Sequence, residues 1–304
     1  MGLADVTGVL SRYFVVGFFL PAFFALVALW LTASGGLLPN ELEAQSDGVQ
    51  IAILGVTGLL LGLALSGLNY GLTQLLEGYP LEARRSWPLF GAVYRWMIGR
   101  QAAQRRSMVA RRDSDVEPDS SLARWQLDRR FPPEEYLLPT SMGNAIRAFE
   151  SHANSRWGLD GIAVWPRIEQ LLSADEREPH VDAKLDFNVF LNGAVGAVAV
   201  GLALLADLVV NHPLDAWLSW LYLLPFAVAY ASYRQTIGAA IRWGSEMRAS
   251  VDLRRLDLYE RLGVRKPTSF SDERHVADHV NQMLLYGSPL PDELWREEEV
   301  TAQR

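Results

Sequence analysis

The sequence predicts an all-α polytopic membrane protein, with four transmembrane helices in two hairpins and a mostly helical cytoplasmic domain formed by the central segment and the C-terminal tail. Two observations predict this class. Four uncharged apolar runs are each long enough for a helix that crosses ~30 Å of hydrocarbon. The 28 lysine and arginine residues all lie outside these runs and outside the short connection within each hairpin.

The predicted boundaries follow from the four runs. The first run is interpreted as a span rather than a cleaved signal peptide, because it exceeds the ~7–15 residues of a signal peptide's apolar core and only Arg12 precedes it as a basic residue. The predicted parts are an N-terminal hairpin at 1–76 with spans at 13–33 and 49–76, a cytoplasmic segment at 77–186, a second hairpin at 187–233 with spans at 187–206 and 216–233, and C-terminal helices with an acidic tail at 234–304.

The distribution of basic residues predicts the orientation. Three basic residues lie close to the ends of spans: Arg84, Lys184 and Arg234. The two hairpin connections contain acidic residues but no lysine or arginine. By the positive-inside rule, both termini and the central segment are cytoplasmic. Because 26 of the basic residues are arginine and 2 are lysine, we interpret the composition as that of a G+C-rich bacterial genome and predict a location in the bacterial inner membrane.

Composition and motif searches argue against several functional classes. The chain has no cysteine, so a disulfide, a thiolate metal site or a cysteine nucleophile is excluded. A formal charge of −7 argues against a nucleic-acid partner. Nucleophile elbows, phosphate-binding loops and dinucleotide fingerprints are missing from the sequence. The sequence therefore predicts a protein that is not an enzyme and has no cofactor.

Small residues recur four apart on the second and third spans, and this spacing lets helix backbones approach closely. We therefore expect these two spans at the centre of the bundle, with the aromatic first and fourth spans facing lipid. The pattern also predicts a homo-oligomer, since the faces can meet within one chain or between copies. The packing candidates are Gly55, Gly58 and Gly62 on the second span and Gly193, Ala197 and Gly201 on the third.

A second group of span residues is polar, and such residues within a membrane are functional candidates. They can line a water-filled path or form hydrogen bonds between helices, and the second interpretation is favoured because such bonds are common in helix bundles. The candidates are Ser66, Asn69, Asp186, Asn188 and Asn192.

Aromatic and basic residues alternate immediately after the second span. Trp87, Phe90 and Trp96 interleave with arginines, which is typical of an amphipathic helix at the membrane surface. A helix packed on the cytoplasmic domain is the alternative. The residues expected to contact anionic lipid headgroups are Arg84, Arg85, Arg95, Arg100, Arg105 and Arg106.

Capping and stop signals predict the elements of the cytoplasmic part. Residues 113–133 are acidic and contain proline, which indicates a linker, and residues 138–172 form a helical block. The predicted helices are one from Thr140 or Ser141 to about Arg156 that ends at Gly158, a short one that begins at Asp160, one over 234–262 that stops at Gly263, and one over 271–286 with Ser271 as its cap.

The same block resembles an uncharacterised family of bacterial four-span membrane proteins. The resemblance covers roughly 138–192 and 245–267, and it implies that the block lies just before a second transmembrane hairpin. It implies no activity. The residues that carry it are Leu138, Pro139, Thr140, Gly143, Asn144, Arg147, Glu150, 157–160, 165–167 and 251–254.

The five histidines give little evidence for a metal site. His275 and His279 are four apart and share a helical face, but the glutamate of an HExxH motif and a third ligand are missing from their surroundings in the sequence. Exposed helix positions are favoured for this pair. His152, His180 and His212 are interpreted as solvated or capping residues.

Three functional hypotheses follow. The first is a non-enzymatic, oligomeric membrane protein that acts as a regulated pore or as a membrane-anchored effector or scaffold, with a cytoplasmic domain that binds a ligand or protein partner not identified by the sequence. The second is an enzyme acting on a lipid-linked substrate with Asp160 or Asp186 as base. The third is a small-solute transporter, which is disfavoured because no span contains lysine, arginine or glutamate.

Overall fold

A computed structural model describes residues 11–33, 46–114, 117–211 and 222–296 of the chain. Within these residues the protein is helical, apart from an isolated antiparallel bridge between Val264 and Trp295. In chain order the helices are α1 (Arg12–Phe14), a π-helical segment (Val15–Phe19), α2 (Leu20–Ala33), α3 (Asp47–Glu77), α4 (Tyr79–Ala83), α5 (Pro88–Arg112), α6 (Asp119–Arg130), α7 (Ser141–Glu150), α8 (His152–Trp157), α9 (Gly161–Leu171), α10 (Ala174–Asn211), α11 (Leu224–Arg261) and α12 (Phe270–Tyr286), with short 3-10 turns at Glu134–Tyr136 and Asp292–Leu294.

The chain contacts divide the protein into two compact units. We call the first the apolar unit, which comprises Met1–Gln74 and Val181–Ala239, and the second the polar unit, which comprises Leu75–His180 and Ala240–Arg304. Each unit is described by itself below.

Three helical stretches among the described residues are long and apolar enough to cross a membrane. They are Arg12–Leu31, Asp47–Glu77 and Ala174–Ala206, and they coincide with the first three predicted spans. The all-helical class is thereby confirmed for the described residues, and the first three predicted spans are helices of sufficient length and apolarity to cross a membrane. The fourth predicted span stays a prediction, because residues 216–221 lie outside the described residues and the remainder forms the start of α11.

The core of the polar unit forms from residues of α8, α9, α11 and α12. Leu159, Ile168, Tyr259 and Val276 are fully buried within it. On α12 the core positions Val276, Ala277 and Val280 recur with helical spacing, so one face of the helix is apolar. Burial of such side chains contributes ~1.5–3 kcal/mol each, so this cluster stabilises the unit.

Two glycines allow the start of the predicted helical block to pack against the end of α3. Gly78 has a φ of +98°, which a residue with a side chain rarely adopts, and a Cβ there would lie 2.3 Å from Pro139 Cγ. A Cβ on Gly143 of α7 would lie 2.6 Å from the carbonyl oxygen of Glu77. Only glycine permits these two close approaches.

Several predicted helix ends are confirmed by the observed caps. Thr140 Oγ1 accepts a hydrogen bond from Gly143 N at 3.0 Å, and Asp160 Oδ1 accepts one from Ala163 N at 2.8 Å. Gly158 and Gly263 have φ values of +80° and +71°, as expected of residues that end helices. These signals are local, which is why the sequence shows them.

Other predicted boundaries are wrong. The stretch interpreted as a linker contains α6, because Ala123 and Leu127 are one helical turn apart and both are buried. The cap of α12 is Ser269 rather than Ser271, since Ser269 Oγ accepts from Asp272 N at 3.2 Å. By contrast, the helix over 234–262, predicted as a continuation of the fourth span, is observed as the continuous helix α11 from Leu224 to Arg261.

The third predicted span belongs to a much longer helix, α10, which begins 13 residues earlier than expected, at Ala174. Ser173 and Glu176 form a capping box that starts it. Ser173 N donates to Glu176 Oε2 at 2.9 Å, and Glu176 N donates to Ser173 Oγ at 3.4 Å. The sequence S-x-x-E carries this signal directly.

Candidate functional site

A cavity of about 350 Å³ opens on the polar unit, and we call it the charged pocket. Its wall combines charged side chains with small hydroxyl and amide groups, which is typical of a site for a polar small molecule. It is formed by the 3-10 turn, α7, α8 and the start of α9. The residues that give it its chemistry are Glu135, Arg147, Glu150, Ser151, Asn154 and Asp160.

Arg147 is the only cation among the residues that line the charged pocket. Its Nη2 donates to the hydroxyl of Tyr79, and its Nε lies 3.8 Å from Glu150 Oε2, one turn further along α7. The buried Nε has no hydrogen-bond partner among the described residues. The guanidinium is therefore held in place on one side, while part of its donor capacity is unused.

Carboxylates outnumber this cation. Glu77 is 7% exposed and interacts electrostatically with both Arg147 and Glu150. Burial raises the pKa of the Glu150 carboxyl above its ordinary value; Arg147 opposes this increase and Asp160 adds to it. The site therefore contains an excess of negative charge in a poorly hydrated place, which disfavours the ionised carboxylates.

The carboxylate of Asp160 is positioned by the backbone around it. Its Oδ1 caps α9, and its backbone N donates to Asn281 Oδ1 at 2.8 Å, while Asn281 Nδ2 donates to the carbonyl oxygen of Gly158 at 2.7 Å. A Cβ on Gly161 would lie 2.4 Å from the carbonyl oxygen of Glu150, so α9 begins directly against the end of α7. The pocket wall is thus made by tightly packed backbone.

The predicted polar candidates of the spans lie in different environments in the apolar unit. Asn188 and Asn192 are fully buried. Asn188 Nδ2 donates to the hydroxyl of Tyr13, and Asn192 Nδ2 donates to the carbonyl oxygen of Gly17 at 2.8 Å, within the π-helical segment. Asn69 Nδ2 donates to Asn188 Oδ1 at 3.3 Å. These three asparagines therefore join helices.

The other two polar candidates are exposed. Ser66 lies on the exposed side of α3, and Asp186 lies on an exposed position of α10 within the apolar unit.

The small-residue stripes contact bulky side chains. On α3, a Cβ at Gly58 or Gly62 would lie 3.3 Å from Phe23 Cδ2 or 3.0 Å from Phe19 Cα, so the first span covers this stripe. Gly55 has open space around it. The phenylalanines of the first span therefore pack against the glycines of α3, and the prediction that this span also faces lipid stays a prediction.

The stripe on α10 borders an apolar groove of the apolar unit with a volume of about 560 Å³. Gly193 and Ala197 line this groove together with Phe24 and Pro225. Gly201 instead approaches Phe226, whose ring would lie 2.7 Å from an added Cβ.

The segment after α3 exposes a set of large apolar side chains, which we call the aromatic face: Trp87, Leu89, Phe90, Val93 and Trp96. Four of the six predicted lipid-contacting arginines, Arg84, Arg85, Arg95 and Arg100, are exposed around it. Arg106 is also exposed, whereas Arg105 is bound to Glu134 at 3.2 Å and to the carbonyl oxygen of Pro132 at 3.3 Å. The aromatic face therefore occupies the first half of α5.

The histidine interpretation needs correction. His180 is buried, packs against Trp165 and lies 2.7 Å from Ser250 Oγ, and His152 lies 3.0 Å from Asp252 Oδ1. Neither is a solvated residue, because the fold brings partners from 70 and 100 positions away. The rings of His275 and His279 meet edge to face, and the described residues contain no cluster of three potential metal ligands. His212 lies outside the described residues.

Comparisons of the chain with protein-family models, with curated proteins and with solved structures found no match. The resemblance to a bacterial four-span family stays a prediction.

Proposed function

We propose that this protein is a non-enzymatic, membrane-anchored effector or scaffold of the bacterial inner membrane. Four spans hold it in the bilayer with both termini in the cytoplasm, and a helical cytoplasmic domain works at the surface of the inner leaflet. The aromatic face of α5 is the observation that carries the proposal, since it gives the domain a surface suited to anionic headgroups.

The exposure of the aromatic face is unusual for a surface in water. Trp87, Leu89 and Trp96 are 60%, 74% and 61% exposed. Leu89, Val93 and Trp96 share one side of the helix, and the guanidinium of Arg100 lies 5.0 Å from the ring of Trp96. A helix with exposed aromatic side chains and flanking arginines lies in the interface between lipid and water. Each arginine there gains ~1 kcal/mol from anionic lipid.

The arrangement of the asparagines supports an anchor rather than a pore. Asn188 and Asn192 are fully buried and donate hydrogen bonds to the first span, so within one chain their amides hold helices together. Such bonds contribute ~0.6 kcal/mol each in helix bundles.

Labelling at the aromatic face tests the membrane contact. Because the chain contains no cysteine, single cysteines at Trp87 or Trp96 can carry a nitroxide in the full chain held in nanodiscs with anionic lipid. We expect both labels to be accessible to dissolved oxygen and protected from a water-soluble nickel complex, since an interfacial side chain lies at the depth of the headgroups and upper acyl chains.

The controls are nitroxides at Leu253 and Tyr286, which are 76% and 74% exposed on other helices of the polar unit. These should be readily accessible to the nickel complex. Equal accessibility of all four labels would remove the membrane contact and, with it, the support for this proposal.

The proposed protein is also a homo-oligomer, whose second copy uses the apolar groove beside Gly193 and Ala197. Small residues at this spacing favour close contact of helices between subunits. Ala197→Leu fills the groove and is expected to lower the mass of the detergent-held complex, measured by light scattering, towards that of a monomer. Val198→Leu, on an exposed position outside the groove, should leave the mass unchanged. A wild-type monomer, or an unchanged mass in Ala197→Leu, contradicts this assignment.

A further inference from the structure

The charged pocket contains more negative charge than its one guanidinium can neutralise. Glu150 and Asp160 line it together with Arg147, and Glu77 interacts electrostatically with the same arginine from a 7% exposed position. Arg147 interacts with the carboxylates of Glu77 and Glu150, while Asp160 adds its charge beside Glu150. Glu135 is a further carboxylate in the wall. A buried net charge costs several kcal/mol unless it is paired. A bound cation would supply the missing pairing.

We propose that the charged pocket binds a small zwitterionic amine, that is, a compound with at least one ammonium group and one carboxylate. The ammonium would lie between Glu150 and Asp160, and the carboxylate would bind Arg147. This site lies wholly within the polar unit and does not depend on the proposed membrane contact.

The chemistry of each wall residue suits one part of such a molecule. The guanidinium of Arg147 lines the pocket and can donate a charge-assisted hydrogen bond to a carboxylate from a nitrogen other than the buried Nε. Asp160 uses Oδ1 to cap α9, so the remaining carboxylate oxygen is the one that a ligand can reach. Ser151 and Asn154 add hydrogen-bonding groups on the wall between these charges.

The size and ligand set favour an organic cation over a metal ion. A cavity of about 350 Å³ is at the small end of the range for small-molecule sites. Among the described residues, no group of three metal-ligating side chains has the geometry to hold an ion. An ammonium group can bind carboxylates that lie further apart than the ligands of a metal ion, because each of its N–H groups makes a separate hydrogen bond.

A matched series of probes separates the two halves of the ligand. Isothermal titration calorimetry of the full chain in detergent would compare L-lysine, cadaverine, 6-aminohexanoate, adipate and magnesium chloride. Cadaverine lacks the carboxylate of lysine, 6-aminohexanoate lacks its α-amine, and adipate has no amine. We expect L-lysine to bind most tightly, cadaverine and 6-aminohexanoate more weakly, and adipate not at all.

Variants assign each half of the ligand to a side chain. Arg147→Gln should lower the affinity for L-lysine by roughly tenfold or more, which corresponds to the loss of one charged hydrogen bond. The affinity for cadaverine should be nearly unchanged. Glu150→Gln and Asp160→Asn should lower the affinity for both lysine and cadaverine. The asparagine in Asp160→Asn can still cap α9, because its side-chain oxygen accepts the same hydrogen bond. Arg156→Gln, at an exposed position of α8 that does not line the pocket, is the matched control and should bind like the wild type.

Distinct outcomes overturn the assignment. Tightest binding of adipate would show that Arg147 dominates and that an anion is the ligand. A response to magnesium without a response to any amine would assign the site to a metal ion. Failure of every probe, or equal affinities in Arg147→Gln, Glu150→Gln and the control, would remove the site. Melting temperatures of the variants within a few degrees of the wild type would show that lost binding is not lost folding.

Discussion

Asn144→Leu is expected to lower the apparent melting temperature of the full chain by roughly 6–12 °C. Asn144 is fully buried, and its amide makes three hydrogen bonds. Its Oδ1 accepts from Leu138 N at 2.7 Å, and its Nδ2 donates to the carbonyl oxygen of Leu138 at 2.9 Å and to Gln101 Oε1 at 3.2 Å. Leucine would leave two buried backbone groups unpaired, at a cost of about 3 kcal/mol, and each kcal/mol shifts the midpoint by ~2–4 °C in a unit of this size.

The measurement is thermal unfolding followed by intrinsic fluorescence in one detergent. Gln282→Leu, an amide-to-leucine change at an exposed position of α12, is the matched control and should shift the midpoint by less than ~2 °C. Asn144→Asp keeps the hydrogen-bond acceptor and loses the donor, so we expect an intermediate decrease in the melting temperature. This variant tests the prediction if Asn144→Leu does not fold. A midpoint of Asn144→Leu close to that of the control would show that these bonds contribute little.

The residues around Asn144 also explain most of the motif that resembles the bacterial family. Thr140 caps α7 and donates from Oγ1 to the carbonyl oxygen of Glu77 at 2.9 Å. Gly143 allows α7 to approach that same carbonyl, and Pro139 packs on Gly78. These residues fasten the helical block to the end of α3. Arg147 and Glu150, by contrast, line the charged pocket.

Features set by neighbours in sequence could be predicted. The apolar runs, the caps at Thr140 and Asp160, and the glycines that end helices each depend on a few consecutive residues. The start of α10 was predictable in principle, since Ser173 and Glu176 form a capping box. Apolar length alone predicts a start at residue 187, the first residue of the apolar run, whereas the helix begins at Ala174.

Features set by tertiary packing could not be predicted. α6 contains two aspartates and three arginines among good helix formers, so its local propensity agrees with a helix. The burial of Ala123 and Leu127, however, depends on packing within the polar unit. The buried positions of His180 and Glu273 likewise depend on partners in distant helices, Ser250 and Arg255.

The charged pocket is the clearest such case. Glu77, Arg147 and Asp160 are separated by up to 83 positions in the chain and come from three different elements. From the sequence, Asp160 is predicted only as a cap and a possible catalytic base, and Glu77 has no predicted role. The burial of Glu77 and the approach of Asp160 to Glu150 are properties of the folded unit.

Arg248→Met is the second substitution that we expect to lower the apparent melting temperature by roughly 6–12 °C. The Arg248 side chain is 9% exposed and links three elements of the polar unit. Its Nη1 donates to Asp128 Oδ2 at 2.9 Å, and its Nη2 donates to the carbonyl oxygens of Asp128 and Ala148 at 2.7 and 2.8 Å. Methionine fills a similar volume but satisfies none of these acceptors. Loss of the donor to the two carbonyl oxygens costs about 3 kcal/mol in total, and each kcal/mol shifts the midpoint by ~2–4 °C in a unit of this size.

The carbonyl contacts, rather than the ion pair, should account for most of this loss. The Asp128 side chain is 67% exposed, and an ion pair with an exposed partner contributes at most ~1 kcal/mol. Asp128→Asn should therefore lower the melting midpoint by less than ~4 °C. Arg248→Lys should lower the midpoint by more than this, because an ammonium group cannot reach all three acceptors at once. Arg261→Met, at an exposed position at the end of the same helix, is the matched control. If Asp128→Asn costs as much as Arg248→Met in the same thermal unfolding assay, the ion pair is the dominant contact and the carbonyl bonds are secondary.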